Sequence, residues 1–426
     1  MWGRKLQQVW QTPDLRKSII FVLVCLAVFR LAAHLPIPGV NAIALRNFFA
    51  SNQLLGLLNL FSGGGLENFS IVMLGVGPYI TASIIIQLLT MIVPRLEEIS
   101  KDGEAGRQRI NQYTRWLTVP LAALQAYSFI ALLRSQGGGK IIGALGPWEL
   151  TVSLATITAG TVFLMWLGEL ISERKIGNGI SLLIFAGIVA GIPQMVQQAA
   201  YTFDPTQIFT IVAFLVIAIV TVVSIVVVSE AQRNIPVQYA RMVRGPRTLG
   251  GATTYLPLRL LQAGVIPIIF AISVIIFPSM VAQFLVRSRA EWLVSAAQKT
   301  IELLQNQLFY GISYFVLVFG FTYFYTAVIF KPDQIAENLQ KQGGFVPGIR
   351  PGQSTVEYLG TTMNRIVLPG AVFLSLIAVL PLAMRYFTGS QLLVIGGTSL
   401  LIVVSVAIEM VRQINAQLVM RDYEEL

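Results

Sequence analysis

The stretch Leu57 to Leu89, LLNLFSGGGLENFSIVMLGVGPYITASIIIQLL, contains the features that decide the fold. An uncharged run begins in its second half and extends from residue 69 to residue 93. A helix of that length can cross a hydrocarbon core of about 30 Å. The first half is apolar but too short to span, and Ser-Gly-Gly-Gly at 62–65 breaks it. Irregular backbone at membrane depth is tolerated only where protein buries it or where it lines a cavity. We therefore predict a short half-helix over a cavity, followed by a full helix; an ordinary re-entrant or interfacial loop is the alternative.

The composition indicates the class of protein. Of the 426 residues, 55% are hydrophobic and only 12% are charged, as is typical of a polytopic membrane protein. Cys25 and His34 each occur alone, which argues against disulfides and against metal or histidine-triad chemistry within this chain. No Gly-x-x-x-x-Gly-Lys-Ser/Thr pattern is present, so a P-loop is not expected. We predict that the chain is not an enzyme and takes no cofactor.

Ten apolar segments predict transmembrane helices. They are residues 18–35, 69–93, 116–134, 150–171, 180–198, 207–229, 260–286, 309–330, 366–384 and 391–411. An even number of spans places both termini on one side of the membrane. The termini and the loops on their side hold 22 of the 30 Lys and Arg residues, and the opposite loops together with the span ends next to them hold 8. By the positive-inside rule, the termini and the large basic loops face the cytoplasm.

Charges are absent from the middle of every predicted span, since Glu169 and Glu409 lie close to cytoplasmic ends. Ion-coupled transporters usually place ionisable groups near the midplane, where they bind or relay ions. A passive conduit therefore fits better than a small-solute secondary transporter, although ten spans and a broken helix also suggest that class. A purely structural membrane scaffold is a third alternative, but it would not need the glycine-broken segment.

The first 17 residues form a short basic segment in which Trp2, Leu6 and Trp10 have amphipathic spacing. This pattern predicts a helix on the cytoplasmic membrane surface. A cleavable signal peptide is the alternative. However, the basic pair at its end leads into a long apolar run without a small-residue cleavage site.

Three long motifs follow one another along the chain. They are LGVGPYITASIIIQ at 74–87, GTVFLMWLGELISERKIGNGISLLIFAGIVAGI at 160–192 and FYTAVIFKPDQIAENLQKQGGFVPGIRPGQSTVEYLGTTMNRIVLPGAVFLSLIAVL at 324–380. In these motifs and in its final segment, the chain resembles the SecY family, the channel-forming subunits of the bacterial Sec protein translocase. The resemblance covers almost the whole sequence.

Three positions depart from the family pattern. Lys175 stands where the family usually has glycine, Asn234 replaces a second arginine, and Leu261 replaces an asparagine near the lateral gate. Lys175 lies in an exposed turn between two predicted helices. We expect Gly177-Asn178-Gly179 to supply the positive φ angles which that tight turn needs.

The resemblance implies an all-α polytopic membrane protein with ten transmembrane helices. These would form two inverted, pseudo-symmetric five-helix halves, residues 18–200 and 201–426, around a central hourglass pore. A plug half-helix at about 57–67 would close the pore. A cytoplasmic amphipathic segment, residues 1–17, would precede the halves.

Carried over by position, the resemblance implies three groups of residues along the translocation path. The plug residues are Leu60, Phe61, Ser62, Gly63, Gly64, Gly65 and Leu66. The pore ring, a narrow aliphatic collar, consists of Val76, Ile80, Ile180, Ile184, Ile269 and Ile402. The lateral gate includes Thr81, Gln87, Leu261 and Phe277.

Two basic cytoplasmic loops, 230–259 and 331–365, are candidates for docking. The first contains Arg233, Arg241, Arg244 and Arg247 with little acid to balance them. A projecting basic hairpin there would suit RNA or an acidic protein face. In the second loop, turn-forming residues would hold Arg350 at a stiff tip.

The resemblance implies that these arginines contact the SecA motor and the ribosome, including its RNA. It also implies SecE and SecG as small membrane partners, with signal peptides, nascent preproteins and membrane lipids as further contacts. The expected location is the bacterial plasma (inner) membrane. The expected function is a protein-conducting channel for unfolded secretory chains, which releases apolar segments sideways into lipid and takes its energy from SecA or the ribosome.

Overall fold

A computed structural model gives the structure of most of the chain. It describes residues 10–38, 40–41, 43–45, 62, 64–136, 141, 146–201, 208–239, 242–244, 247–249, 253–262, 264–286, 290–388 and 396–424. The helices in these ranges are α1 (Pro13–Ala33), α2 (Gly77–Ile92), α3 (Pro94–Lys101), α4 (Gly103–Gln136), α5 (Pro147–Glu173), α6 (Gly179–Tyr201), α7 (Ile208–Glu230), α8 (Ile266–Leu285), α9 (Glu291–Gln305), α10 (Gln307–Ile329), α11 (Pro332–Lys341), α12 (Gln353–Thr388) and α13 (Gly396–Glu424). The strands are β1 (Gln232–Tyr239), β2 (Met242–Arg244), β3 (Arg247–Leu249), β4 (Thr253–Arg259) and β5 (Gly344–Phe345).

Each of the ten predicted apolar segments overlaps one of these helices. Among the described residues, six helical stretches are long and apolar enough to span a membrane on their own. They lie in α4, α5, α7, α10, α12 and α13. A seventh is obtained if α2 and α3 are counted as one broken span, in which the chain bends by 102° between the two helices. The apolar parts of α6 and α8 are shorter. A multi-pass, mostly helical architecture is therefore present, and the ten-helix arrangement stays a prediction.

The helix predicted from residue 69 begins at Gly77 instead. Residues 64–76 form consecutive turns, with positive φ at Phe69 and Gly75. The turn segment also pairs with the end of the first span. The Ile37 N–H donates to the Phe69 carbonyl at 2.9 Å, and the Ile71 N–H donates to the Leu35 carbonyl at 3.0 Å. These bonds use backbone groups that a helix would have needed for its own ladder.

The chain divides into two compact units. The first comprises Met1–Thr210, Ile272–Tyr310 and Ile402–Leu426. In it, α4 packs between α2 and α5, and α1 contacts both α5 and α6. A salt bridge of 2.7 Å joins Arg115 Nε on α4 to Glu169 Oε1 on α5. An apolar cluster in its N-terminal part packs around the turn segment and includes Leu66, Phe69, Met73, Ile130, Leu133 and Ile157.

The second unit comprises Ile211–Ala271 and Gly311–Leu401. Strands β1 and β4 form an antiparallel hairpin whose register runs from Gln232 opposite Arg259 to Gln238 opposite Thr253. The prediction of a hairpin in loop 230–259 is thereby confirmed. Strand β5 adds to the other side of β1, which gives the strand order β4-β1-β5. Helix α11 packs against α12 and β5.

The prediction for the turn between α5 and α6 is wrong in one respect. The residue with positive φ is Lys175, at +56°, whereas Gly177, Asn178 and Gly179 have ordinary negative φ values. The glycines serve close packing, because a Cβ on Gly179 would collide with the Gly168 carbonyl of α5. The amide side chain of Asn178 caps α6, accepting a hydrogen bond from the Ser181 N–H at 3.2 Å.

Candidate functional site

The described part of the plug segment lies in a packed interior. Ser62 and Leu66 are buried, and the Ser62 hydroxyl accepts a hydrogen bond from the Leu66 N–H at 3.1 Å. A Cβ on Gly65 would lie 2.9 Å from Ser70 Oγ, so only glycine fits there without a shift. Gly64 adopts a φ of +81°. Leu60, Phe61 and Gly63 lie outside the described residues.

Helix α5 packs directly against the backbone of the turn segment. A Cβ on Gly160 would lie 2.7 Å from the Ile71 carbonyl carbon and closer still to its oxygen. The neighbouring Ser70 hydroxyl is fully buried and has no hydrogen-bond partner among the described residues. Protein therefore encloses the irregular backbone before α2, which is the condition under which such backbone is tolerated at membrane depth. Gly160 is the first residue of the motif 160–192, and the sequence did not predict this contact.

Every residue of the predicted pore ring lies near the start of a helix. Val76 is the N-cap of α2 and Ile80 follows one turn later. The remaining members stand in the first two turns of their helices: Ile180 and Ile184 in α6, Ile269 in α8 and Ile402 in α13. All are buried except Ile180, which is half-buried. Five belong to the first unit and Ile269 belongs to the second, so a closed ring stays a prediction.

The gate residues are likewise distributed over both units. Thr81, Gln87 and Phe277 belong to the first unit, and Leu261 belongs to the second. The Thr81 hydroxyl donates to the Gly77 carbonyl at 3.1 Å, and Gln87 Nε2 donates to Ser83 Oγ at 3.4 Å.

The surroundings of these residues differ in polarity. The Gln87 Oε1 atom is buried without a hydrogen-bond partner among the described residues. Phe277 is 37% exposed. Leu261 is buried, and its Cδ2 would lie 3.1 Å from a Cβ on Gly370 of α12. Leucine at position 261 therefore fills a close contact within its own unit.

The two predicted docking loops meet in one sheet. Tyr239 at the end of β1 pairs with Gly344 of β5, and Gln238 pairs with Phe345. We call the three strands β4, β1 and β5 the docking sheet. Arg233 projects from β1 as an exposed side chain. Arg244 and Arg247 lie in the short hairpin β2–β3, where only the backbone is described, and Arg241 lies outside the described residues. The pairing of the two loops was missed from the sequence.

The loop that carries Arg350 is fixed by local hydrogen bonds. The Ile349 N–H donates to the Val346 carbonyl at 3.0 Å. The Thr355 hydroxyl donates to the carbonyl of Arg350 itself, also at 3.0 Å. Gly348 and Gly352 supply positive φ values on either side, of +80° and +101°. The guanidinium of Arg350 is exposed at the end of this braced turn.

One apolar cluster lies beneath both docking loops. Its buried members are Ile235, Leu258, Phe330, Val346, Leu359, Met363 and Val367. They come from β1, β4, the residues that flank α11, and α12. Because both loops bury side chains in the same cluster, Arg233 and Arg350 stand on one continuously packed body. Within the described residues, no group of three or more His, Cys, Asp or Glu is arranged to hold a metal ion.

Comparison with known proteins gives concordant matches. The SecY family model matches residues 70–411. The protein translocase subunit SecY of Streptomyces galbus is 43% identical over 433 residues, with 98% of each chain covered. A solved protein-conducting channel superposes with a TM-score of 0.62 at 17% identity, covering 93% of this chain and 91% of that one. Sec61 in the canine ribosome–channel complex superposes with a TM-score of 0.61 at 16% identity, with the same coverage.

The structural likenesses establish the fold, and the sequence matches establish the relationship. The family model spans most of the chain, and the Streptomyces relative is similar from end to end. The second half of the turn segment before α2, the aliphatic helix starts and the docking sheet fall within residues 70–411. The chain therefore belongs to the SecY family of protein translocase subunits.

Proposed function

We propose that this chain forms a protein-conducting channel that moves unfolded secretory proteins across the bacterial plasma membrane and releases apolar segments into the lipid. The observation that carries the proposal is the near full-length 43% identity to protein translocase subunits. It is supported by the absence of charge in the middle of the apolar segments, because a passive conduit needs no ion relay there. The termini and the docking sheet face the cytoplasm.

The pore ring provides the seal. Its six members are Val or Ile, whose branched side chains expel water from a narrow opening and so block ions. The same side chains carry no polar groups that would hold a passing polypeptide. Each member stands near the start of its helix, so small movements of helix ends widen the ring. The plug segment, which directly precedes the turns packed on α5 at Gly160, closes the pore further at rest.

The lateral gate responds to signal sequences. An apolar signal peptide shifts the equilibrium towards the open gate only if it binds the open form more tightly than the closed one. Thr81, Gln87 and Phe277 offer a mixed polar and aromatic surface for that contact, and Leu261 adds an apolar side chain on the second unit. SecE and SecG, as small membrane subunits, complete the assembly around the two units.

The docking sheet receives the source of energy. Exposed Arg233 and Arg350 stand on one packed body, so a partner bound to both loops transmits force to the second unit. Guanidinium groups bind phosphate oxygens and carboxylates through charge-assisted hydrogen bonds, which fits both ribosomal RNA and an acidic face of SecA. The likeness to a channel solved in complex with a ribosome supports the first of these partners.

Translocation into proteoliposomes tests the proposal. The purified chain, a SecE-type partner, SecA, ATP and a signal-bearing preprotein are combined, and protease-protected preprotein is measured. Arg350→Glu is compared with Arg109→Glu, an equally exposed charge reversal on α4 away from the docking sheet. We expect ATP-dependent protection that Arg350→Glu abolishes and Arg109→Glu leaves largely intact.

The remaining outcomes separate the parts of the proposal. Equal activity in both variants would keep the channel but move the motor contact away from Arg350. No protection with folded protein and a matched SecA would contradict the channel. Uptake of a small solute by the chain alone would then favour the secondary transporter.

A further inference from the structure

Helix α9, between α8 and α10, has three chemically distinct faces. One face packs on the protein through Leu293, Ala297 and Ile301, of which Ala297 is buried and the other two are half-buried. A second face carries Glu291 and Glu302, both exposed. The packed face explains why the helix forms here. The third face is apolar and largely exposed.

That third face consists of Trp292 and Leu303. They are 71% and 51% exposed. Eleven residues separate them, so at 3.6 residues per turn their side chains differ in direction by only about 20°. Lys299 lies on the same side between them and is exposed as well. An exposed tryptophan and leucine with a neighbouring lysine form the pattern of a helix that lies in a membrane surface.

The connection to α10 sets the depth of α9. Asn306 ends α9, since its N–H donates to the Glu302 carbonyl at 3.1 Å. Its side chain also begins α10, because Asn306 Oδ1 accepts hydrogen bonds from the N–H groups of Leu308 and Phe309 at 3.0 and 3.3 Å. One residue therefore forms a fixed corner between the two helices.

The side chains immediately after this corner are apolar and exposed: Leu308 is 71% and Phe309 43% exposed. They open a helix that is apolar enough to span a membrane and has less than a quarter of its apolar window buried. Because lipid-facing side chains begin two residues beyond Asn306, the end of α9 must lie at the edge of the hydrocarbon region. Exposed apolar side chains therefore lie on both sides of the Asn306 corner, Leu303 before it and Leu308 and Phe309 after it.

We propose that α9 is an interfacial helix that binds the phospholipid surface through Trp292 and Leu303. The two side chains enter the boundary between headgroups and acyl chains, at a depth of about 5–10 Å. Lys299 extends along the same face to the lipid phosphates. Glu291 and Glu302 remain in water. Under the predicted topology this is the outer leaflet, and α9 anchors the far end of α8, the helix that carries Phe277.

Tryptophan fluorescence tests the proposal on the full-length chain. The other five tryptophans, Trp2, Trp10, Trp116, Trp148 and Trp166, are replaced by phenylalanine. The remaining protein is inserted into phosphatidylcholine–phosphatidylglycerol vesicles with plain or dibrominated acyl chains. A second variant that keeps only Trp166, exposed on α5, serves as the control for insertion.

We expect brominated lipid to lower Trp292 emission about twofold, as for a side chain at the headgroup–acyl boundary. The additional change Leu303→Glu should reduce this quenching while Trp166 remains quenched. Trp292 that is quenched by aqueous iodide but not by brominated lipid would overturn the proposal. Protection from both quenchers, as a bound protein or a second copy would give, would overturn it as well.

Discussion

Close contacts of single residues hold the turn segment before α2 in place. Gly160 is the clearest case, because a Cβ there meets the backbone at Ile71, which cannot rotate away. We predict that Gly160→Ala lowers the free energy of unfolding by about 1–3 kcal/mol, the usual cost of overpacking. The measurement is unfolding of the purified protein in detergent. Gly320→Ala, where a Cβ would meet nothing within 4 Å, is the control. Equal stability of the two variants would contradict the contact.

Lys175 stores backbone strain in the turn between α5 and α6. Its φ of +56° costs an L-residue about 1–2 kcal/mol, which glycine avoids. The hydrogen bond that the turn receives there goes to the Lys175 carbonyl, from Gln417 Nε2 at 2.7 Å, and any residue can retain it. We predict that Lys175→Gly is more stable than Lys175→Ala by about 1 kcal/mol in thermal unfolding. A more stable alanine variant would show that the strain is absent.

Leu261 is the predicted gate residue that departs from the family pattern. It is buried against the backbone around Gly370, and burying an amide there without a partner weakens that packing. We predict that Leu261→Asn lowers the minimum hydrophobicity at which a series of graded signal peptides supports translocation. Leu382→Asn, equally buried in the same unit, is the control for general destabilisation. An unchanged threshold in Leu261→Asn would contradict this role.

Among the secondary-structure elements, the docking sheet places two distant loops in one body. Strand β5 supplies only Gly344 and Phe345, yet its pairing with β1 fixes the start of the loop that presents Arg350. The turns after β5 then depend on glycines with positive φ. We therefore expect docking through Arg350 to depend on backbone shape as much as on charge.

Gly348→Ala tests this dependence without altering any charge. An alanine at φ +80° is strained by about 1–2 kcal/mol, so the loop leaves the conformation that presents Arg350. We predict that affinity for SecA or for ribosomes falls about fivefold or more, since 1.4 kcal/mol is a factor of ten. Binding is measured at fixed salt concentration, with Gly360→Ala on α12 as the control. Unchanged affinity would show that the partner does not require this loop conformation to bind Arg350.

The sequence predicted the elements better than their boundaries and contacts. Apolar runs identified the helices, because burial in lipid requires continuous apolarity, and the basic loop 230–259 was expected to form the hairpin that β1 and β4 make. The start of α2 could not be predicted, because residues 69–76 are as apolar as the helix that follows. Tertiary hydrogen bonds between Leu35 and Ile71 and between Ile37 and Phe69, together with the Gly160 contact, keep them from joining it. The pairing of Tyr239 with Gly344 is likewise a contact between distant segments, which no local pattern records.

For the whole molecule, we propose that the translocation path runs through the pore ring. The resemblance to the SecY family, carried over by position, implied these residues. Five of them are buried at helix starts, as a ring requires, but ordinary helix packing would bury them too. A ring also requires members from both units, including Ile269. The residues that line the path are therefore identified by their contact with a preprotein that is arrested during translocation.

Disulfide cross-linking to a stalled preprotein is the most direct measurement. Cys25 is first replaced by serine, and single cysteines are introduced as Ile184→Cys, Ile269→Cys and, as a control on the exposed face of α7, Leu215→Cys. A preprotein with one cysteine in its mature part is arrested halfway in proteoliposomes and then oxidised. We predict that the arrested preprotein cross-links to positions 184 and 269 and not to position 215. A protease-protected preprotein that cross-links to neither ring position would contradict a path through this ring.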